Sequence, residues 1–222
     1  MNIVYIIEKY LLSITSDDFH RYKSWDNCFQ VFSAPDQSAI QVLELAFYLA
    51  SWGMYRGSSG LLQKNHLIHK GAVDILYSKT SQLLRCTQHK EVSSENIQDI
   101  LNLKDKLAKH YSKIYFTKGA DKQKPISPTD TLLSKIILGT LGCVPAYDRY
   151  FIDGLKEMKM DHTTFNKASL NELFNFIDEN QNEVTQAQKL ILGKTQTHYP
   201  QMKILDMYFW QIGYDKELNA KS

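Results

Sequence analysis

Apolar residues recur at three- and four-residue spacing along most of this chain, the pattern of amphipathic helices. Ile3, Ile6, Ile7, Tyr10, Leu11 and Ile14 make one such stripe over residues 2–14. Ser16, followed by Asp17 and Asp18, reads as an N-cap with an acidic first turn and predicts a second helix to about Phe32. Ser33-Ala34-Pro35-Asp36 breaks the chain, and Asp36 is placed to cap the next helix. That helix carries Ile40, Leu43, Leu45, Ala46 and Leu49; it is apolar on most sides and is expected to be buried.

Residues 53–60, Gly-Met-Tyr-Arg-Gly-Ser-Ser-Gly, read as a loop. Two helices are expected next, at about 65–86 and 94–116. The run from Asp121 to Pro128 is the clearest break in the sequence. Ser127 or Thr129 then caps a helix containing Leu132, Leu133, Ile136, Ile137 and Leu141. Pro145 closes the connection and Asp148 opens another helix. Ser169 begins one with Leu170, Leu173, Phe174 and Ile177, and Met202 to Ile212 forms a last helix with an aromatic stripe. There is no internal repeat and no heptad pattern, and strand signals are nearly absent. The expected fold class is all-α.

Composition narrows the function classes. At 222 residues, 43% of them hydrophobic and 23% charged, the chain suits one globular domain with a proper core. The formal net charge of +2 is too small for a protein that coats nucleic acid, so any basic face must come from local clustering. Cys28, Cys86 and Cys143 are odd in number and widely spaced. They suit a reducing compartment and argue against a disulfide framework or a zinc site. The N-terminal apolar run is interrupted by Glu8 and Lys9, too early for a signal peptide or a membrane span. A cytoplasmic protein without membrane association is expected.

Three stretches carry candidate chemistry. In Ser134 to Phe151 an apolar helix runs into a corner stiffened by Pro145, and Asp148 starts the next helix. A carboxylate there is held rigidly at a positive helix end. It reads as a cap, a catalytic acid, or both. The loop with Trp52, Met54, Tyr55, Arg56, Ser58 and Ser59, followed by Gln63, offers rings, a cation and hydroxyls, or else a helix–helix turn with its apolar members buried. Tyr147 and Tyr150 flank Asp148 and could wall the same pocket or fill core. The third stretch is basic: Lys104, Lys106, Lys109, His110, Lys113, Lys118, Lys122 and Lys124 against Asp105 and Asp121. Such a run binds phosphates or is simply a solvated face. His66 and His69 lack a third metal ligand, and no phosphate loop, nucleophile elbow or dinucleotide fingerprint occurs.

The helix, the short turn with Pro145 and Asp148 at the next helix start resemble the catalytic segment of the helix-hairpin-helix DNA glycosylases. The resemblance covers about 25 residues. It implies that Asp148 is the carboxylate needed to cut an N-glycosidic bond. It also departs from the family: Pro125-Ile126-Ser127-Pro128-Thr129 replaces the glycine-rich hairpin. The lysine of lyase-active members would fall near Thr129, and Lys135, one to two turns on, is expected at the surface or core edge. What the resemblance implies is a divergent monofunctional glycosylase, with the phage-defence type that excises modified viral bases favoured.

Together these features set out a single two-lobed helical domain, one lobe at about 36–120 and the other combining 1–35 with 126–222. Duplex DNA bearing modified bases crosses a groove between them. Asp148 does the chemistry. Trp52, Met54, Tyr55, Arg56, Ser58, Ser59, Gln63, Tyr147 and Tyr150 form the base pocket. Lys106, Lys109, Lys113, Lys118, Lys122 and Lys124 hold phosphates. Neither a metal nor an organic cofactor is expected, and the protein would act as a monomer. The alternatives are a non-catalytic helical nucleic-acid-binding or regulatory protein, and an all-α ribonuclease-type toxin using Arg85 and His89.

Overall fold

A computed structural model describes residues 2–34, 38–56, 59–118 and 122–221, with all of their side chains except those of Ser38, Lys118 and Lys221. Among them are eleven α-helices and one antiparallel hairpin. The first six helices are α1 (Ile3–Thr15), α2 (Lys23–Val31), α3 (Ser38–Ser51), α4 (Lys70–Leu76), α5 (Lys79–Gln82) and α6 (Ile97–Tyr111). Strands β1 (Tyr115–Lys118) and β2 (Lys122–Pro125) follow, pairing Tyr115 with Pro125 and Lys118 with Lys122. Then come α7 (Asp130–Thr140), α8 (Arg149–Glu157), α9 (Lys167–Glu179), α10 (Gln181–Thr195) and α11 (Gln201–Lys221). Among the described residues no helix is long and apolar enough to cross a membrane.

Local chemistry starts several of these helices. The side chains of Asn2, Thr129, Asp148 and Asn166 each accept the backbone N–H three residues on, satisfying donors that a helix start leaves free. Of the two candidate caps before α7, Thr129 is the one used. Helix α9 begins at Lys167 under Asn166, slightly ahead of Ser169.

Helix α7 is the axis of the core. Every residue from Leu132 to Thr140 is buried, and α2, α3 and α6 pack against it. Helix α8 lies along α11, and α1 packs on α10 and α11. The α8–α11 crossing is close because Gly154 and Gly213 lack side chains. A Cβ added at Gly154 would sit 1.9 Å from the Phe209 carbonyl oxygen, and one at Gly213 would sit 2.0 Å from that of Tyr150. One buried apolar cluster runs from Ile3 to Ile212 through both parts into which the sequence divides the chain.

Several expected elements are redrawn. Helix α2 starts at Lys23 instead of Ser16, because Asp17 bends the chain into a turn: its carboxylate accepts the Phe19 N–H at 2.8 Å. The 65–86 helix is divided into a 3-10 turn at His66–His69, then α4 and α5, with Ser78 capping the last. The 94–116 helix stops at Tyr111, and the Tyr115-Phe116-Thr117 run, rich in ring and branched side chains, pairs as a strand. Helix α3 is not buried all round: Ile40, Leu43 and Phe47 are 49%, 54% and 60% exposed, because neighbours cover only its Leu45–Leu49 side. The proposed Asp36 cap lies outside the described residues.

Candidate active site

The corner between α7 and α8 is held by side chains from two directions. Just past α7 and its C-cap Leu141 comes Gly142, whose φ of +72° is a left-handed conformation that suits glycine. Beyond it, Ser134 Oγ accepts the Tyr147 N–H at 2.9 Å and Thr131 donates its hydroxyl to the Tyr147 carbonyl at 2.8 Å. From α11, Asp206 Oδ1 accepts the Ala146 N–H at 2.9 Å. Three backbone groups of a four-residue stretch are thus fixed by hydrogen bonds, and Asp148 leaves the corner in a set direction.

Asp148 caps α8 through Oδ1, which accepts the Phe151 N–H at 3.2 Å. Its Oδ2 lies 2.9 Å from Nζ of Lys135, a residue the sequence placed at the surface or core edge. The lysine side chain is only 3% exposed and the aspartate 15%. Lys135 sits in the buried stretch of α7, where an ammonium is tolerated because a carboxylate and a ring face it. Its Nζ is 5.0 Å from the centre of the Trp52 ring.

A second buried pair lies beside the first. Lys203 Nζ is 2.9 Å from Asp206 Oδ2, one helical turn apart on α11, and 6.0 Å from the Trp52 ring. The two pairs, with Tyr48, Trp52, Leu138, Ala146 and Trp210, enclose a void of about 10 Å³. Burial pushes the Tyr48 hydroxyl well above its usual pKa, with the charge of Asp206 the next cause and those of Cys28 and Asp148 after it. Tyr22 stacks on Trp52 at 5.2 Å, and the Arg21 guanidinium lies 4.9 Å from the same ring.

On its outer side Asp148 lines an open hollow of about 340 Å³, together with Trp52, Gly53, Met54, Arg56, Thr131, Lys135, Arg149 and Tyr150. Arg149 lies over the Tyr150 ring and pairs with Glu217. The hollow has a carboxylate in its wall, an amine beside it and two rings at its edge. The charged side chains of its wall are one carboxylate, paired with Lys135, and the cations Lys135, Arg56 and Arg149.

Four of the nine expected pocket residues, Trp52, Met54, Arg56 and Tyr150, line this hollow. Met54 is nevertheless buried and offers little surface to it. Four of the other five are occupied elsewhere. Tyr55 turns to His69, with its hydroxyl 2.8 Å from Nε2, while His69 Nδ1 lies 2.6 Å from the Tyr111 hydroxyl. Ser59 Oγ donates to the loop's own carbonyls at Met54 and Arg56. Gln63 is tied to β1: its amide donates to Thr117 O at 2.7 Å and accepts the Thr117 N–H at 3.2 Å. Tyr147 does not wall the pocket: its ring is buried against Phe165 and its hydroxyl meets Ser169 at 2.8 Å. Ser58 lies outside the described residues.

Of the basic run, Lys106, Lys109, Lys113, Lys122 and Lys124 are exposed; the side chain of Lys118 is not described. Lys104 is engaged, 2.7 Å from Asp130 and over the Phe165 ring. Arg85 is buried and gives its guanidinium to the Thr140 and Phe29 carbonyls and to Ser33. The three cysteines are buried and unpaired. Among the described residues no three His, Cys, Asp or Glu side chains gather closely enough to hold a metal.

Lys135, Thr131, Arg149, Lys203 and Asp206 were missed as site residues. Lys135 had one legible signal, a lone lysine among Leu132, Leu133, Ile136 and Ile137 on an otherwise apolar helix. The fold and site together define a mostly helical protein with a lysine–aspartate pair in the wall of an aromatic-edged hollow. No family model, no curated protein and no solved structure matches the chain.

Proposed function

We propose that this protein is a DNA glycosylase that hydrolyses the N-glycosidic bond of a modified base and leaves an abasic site. The observation that carries the proposal is Asp148, a carboxylate fixed by a helix start and by Lys135 at the wall of the 340 Å³ hollow. The local likeness of the α7–corner–α8 segment to the helix-hairpin-helix glycosylases supports the same reading.

As the base departs with the bonding electron pair, the sugar becomes cation-like, and a carboxylate held beside C1′ lowers the energy of that state. Water then forms a bond to C1′. Its proton passes to the carboxylate or to solvent, and the departed base anion takes one proton from solvent, so one water is consumed and the neutral base is released. Lys135 holds Oδ2 of Asp148 and the Phe151 N–H holds Oδ1, so the carboxylate is fixed at both oxygens and acts on the hollow through its remaining lone pairs. The extruded nucleotide meets Trp52 and Tyr150 at the hollow's edge, and Arg56 gives its mouth positive charge. The exposed lysines of α6 and the hairpin supply phosphate contacts outside the hollow.

The test incubates the purified protein with duplexes carrying uracil, hypoxanthine, 8-oxoguanine or glucosylated hydroxymethylcytosine, and then cleaves abasic sites with alkali. Wild type is expected to yield strand breaks on at least one duplex and Asp148→Asn on none. Intact strands from every duplex with wild type would end the proposal.

A further inference from the structure

Asp206 is not part of the hollow, yet it touches the corner that aims Asp148. It comes from α11, 60 positions along the chain from Ala146, and accepts that residue's N–H at 2.9 Å while Lys203 holds its other oxygen at 2.9 Å. Asp206 is nearly fully buried, as is Lys203. The Ala146 N–H is buried as well, two residues before Asp148. Without Asp206 that donor would be left unpaired in the core. Ser134 and Thr131 fix only the Tyr147 peptide groups and both come from α7, so they move with it. Asp206 is the hydrogen bond that ties the corner to α11, the helix on which α8 itself packs.

We infer that Asp206 is a positioning residue: its carboxylate, oriented by Lys203, fixes the Ala146 peptide and through it the direction in which Asp148 faces the hollow. The pair beneath the hollow therefore serves the pair in its wall. This inference rests on the glycosylase reading for its kinetic consequence, but its geometric consequence does not.

The experiment compares Asp206→Asn with Asp206→Leu. Both remove the negative charge and with it the ion pair to Lys203. Only asparagine keeps an acceptor for the Ala146 N–H. Three quantities are measured: hydrogen exchange of the Ala146 amide, and kcat and KM on the duplex that wild type processes best. In Asp206→Asn the amide stays protected and kcat stays within a few-fold of wild type. In Asp206→Leu protection is lost and kcat falls roughly 10²-fold with KM little changed, the size expected when a reacting group is misplaced by about 1 Å.

Equal kcat in two folded variants overturns the inference, as does an Ala146 amide protected in both. A leucine variant that fails to fold while the asparagine variant folds also overturns it, because the acceptor is then purely structural. If neither folds, the comparison is made in a Lys203→Met background, where the stranded cation is gone; failure of both there counts against positioning too. If wild type acts on none of the duplexes, the glycosylase reading falls alone, and the amide exchange still decides whether Asp206 holds the corner.

Discussion

Nζ of Lys135 and Oδ2 of Asp148 face each other at 2.9 Å, one from the buried stretch of α7 and one from the N-cap of α8. Neither charge is comfortable alone. Removing one partner of a buried pair strands the other and costs about 3–5 kcal/mol. Asp148 keeps some contact with water, so Lys135→Met should fall at the lower end, about 3 kcal/mol. The double variant Lys135→Met/Asp148→Asn should recover part of that loss. Denaturant melts of all four proteins give the coupling, and a value under about 0.5 kcal/mol would mean that the pair is incidental.

His69 makes stability depend on acid. Burial, then the neighbouring charges of His110 and His66, lowers its pKa to about 3 from 6.5, so the folded protein keeps the ring neutral between two tyrosine hydroxyls. The unfolded chain binds a proton that the folded one refuses between about pH 6.5 and 3. Stability is therefore complete above pH 6.5 and falls as pH drops through that window, by about 2 kcal/mol at pH 5 from this residue alone. His69→Gln should be less stable at neutral pH, through imperfect hydrogen bonds, but should lose less on acidification. Melts at pH 7.5 and 5 compare the two slopes; parallel slopes would show that His69 is not responsible.

The α8–α11 crossing should not admit a methyl group. Gly154→Ala brings Cβ within 1.9 Å of a backbone oxygen that cannot swing aside, so the helices must part. A loss of about 3 kcal/mol or more is expected, above the usual range for overpacking because the clash is with backbone. Gly193 in α10 is exposed, and a Cβ there meets nothing within 4 Å. Gly193→Ala should raise stability by about 0.4–1 kcal/mol. Thermal melts of the two variants should move in opposite directions, and a Gly154→Ala protein as stable as wild type would refute the crossing geometry.

Duplex binding should weaken with salt in proportion to the lysines engaged. Changing Lys109, Lys113, Lys122 and Lys124 to glutamine touches only exposed side chains, so each should alter stability by no more than about 0.5 kcal/mol. Each lysine that holds a phosphate should reduce the slope of log affinity against log salt by about 0.9. Fluorescence anisotropy with a labelled duplex at several salt concentrations reads that slope. An unchanged slope in the quadruple variant would place the DNA on another face.

Much of the local structure was legible. Asp148 as a cap needs only the N–H three residues on, and Thr129 needs only that of Leu132, so both could be read from a few adjacent residues. The α1 and α7 stripes were plain for the same reason. Errors arose where one local signal concealed another. Asp17 bends the chain instead of starting a helix, and Tyr115 to Thr117 pairs across a hairpin instead of extending α6. The loop at 52–59 and Gln63 carried suggestive chemistry, but Tyr55, Ser59 and Gln63 each found a partner that the pattern could not disclose.

By itself the sequence determined a mostly helical chain, several of its helix starts, and a carboxylate set at a stiffened corner, because periodicity and capping act within a turn or so of chain. The tertiary structure decided which charges meet. Lys135 is 13 positions from Asp148, and Asp206 is 60 from Ala146. Such pairs form only when packing of apolar faces brings distant segments together and removes the water that would otherwise solvate them. It also decided that α3 leaves Ile40, Leu43 and Phe47 uncovered, since exposure depends on which neighbours arrive rather than on the helix's own composition.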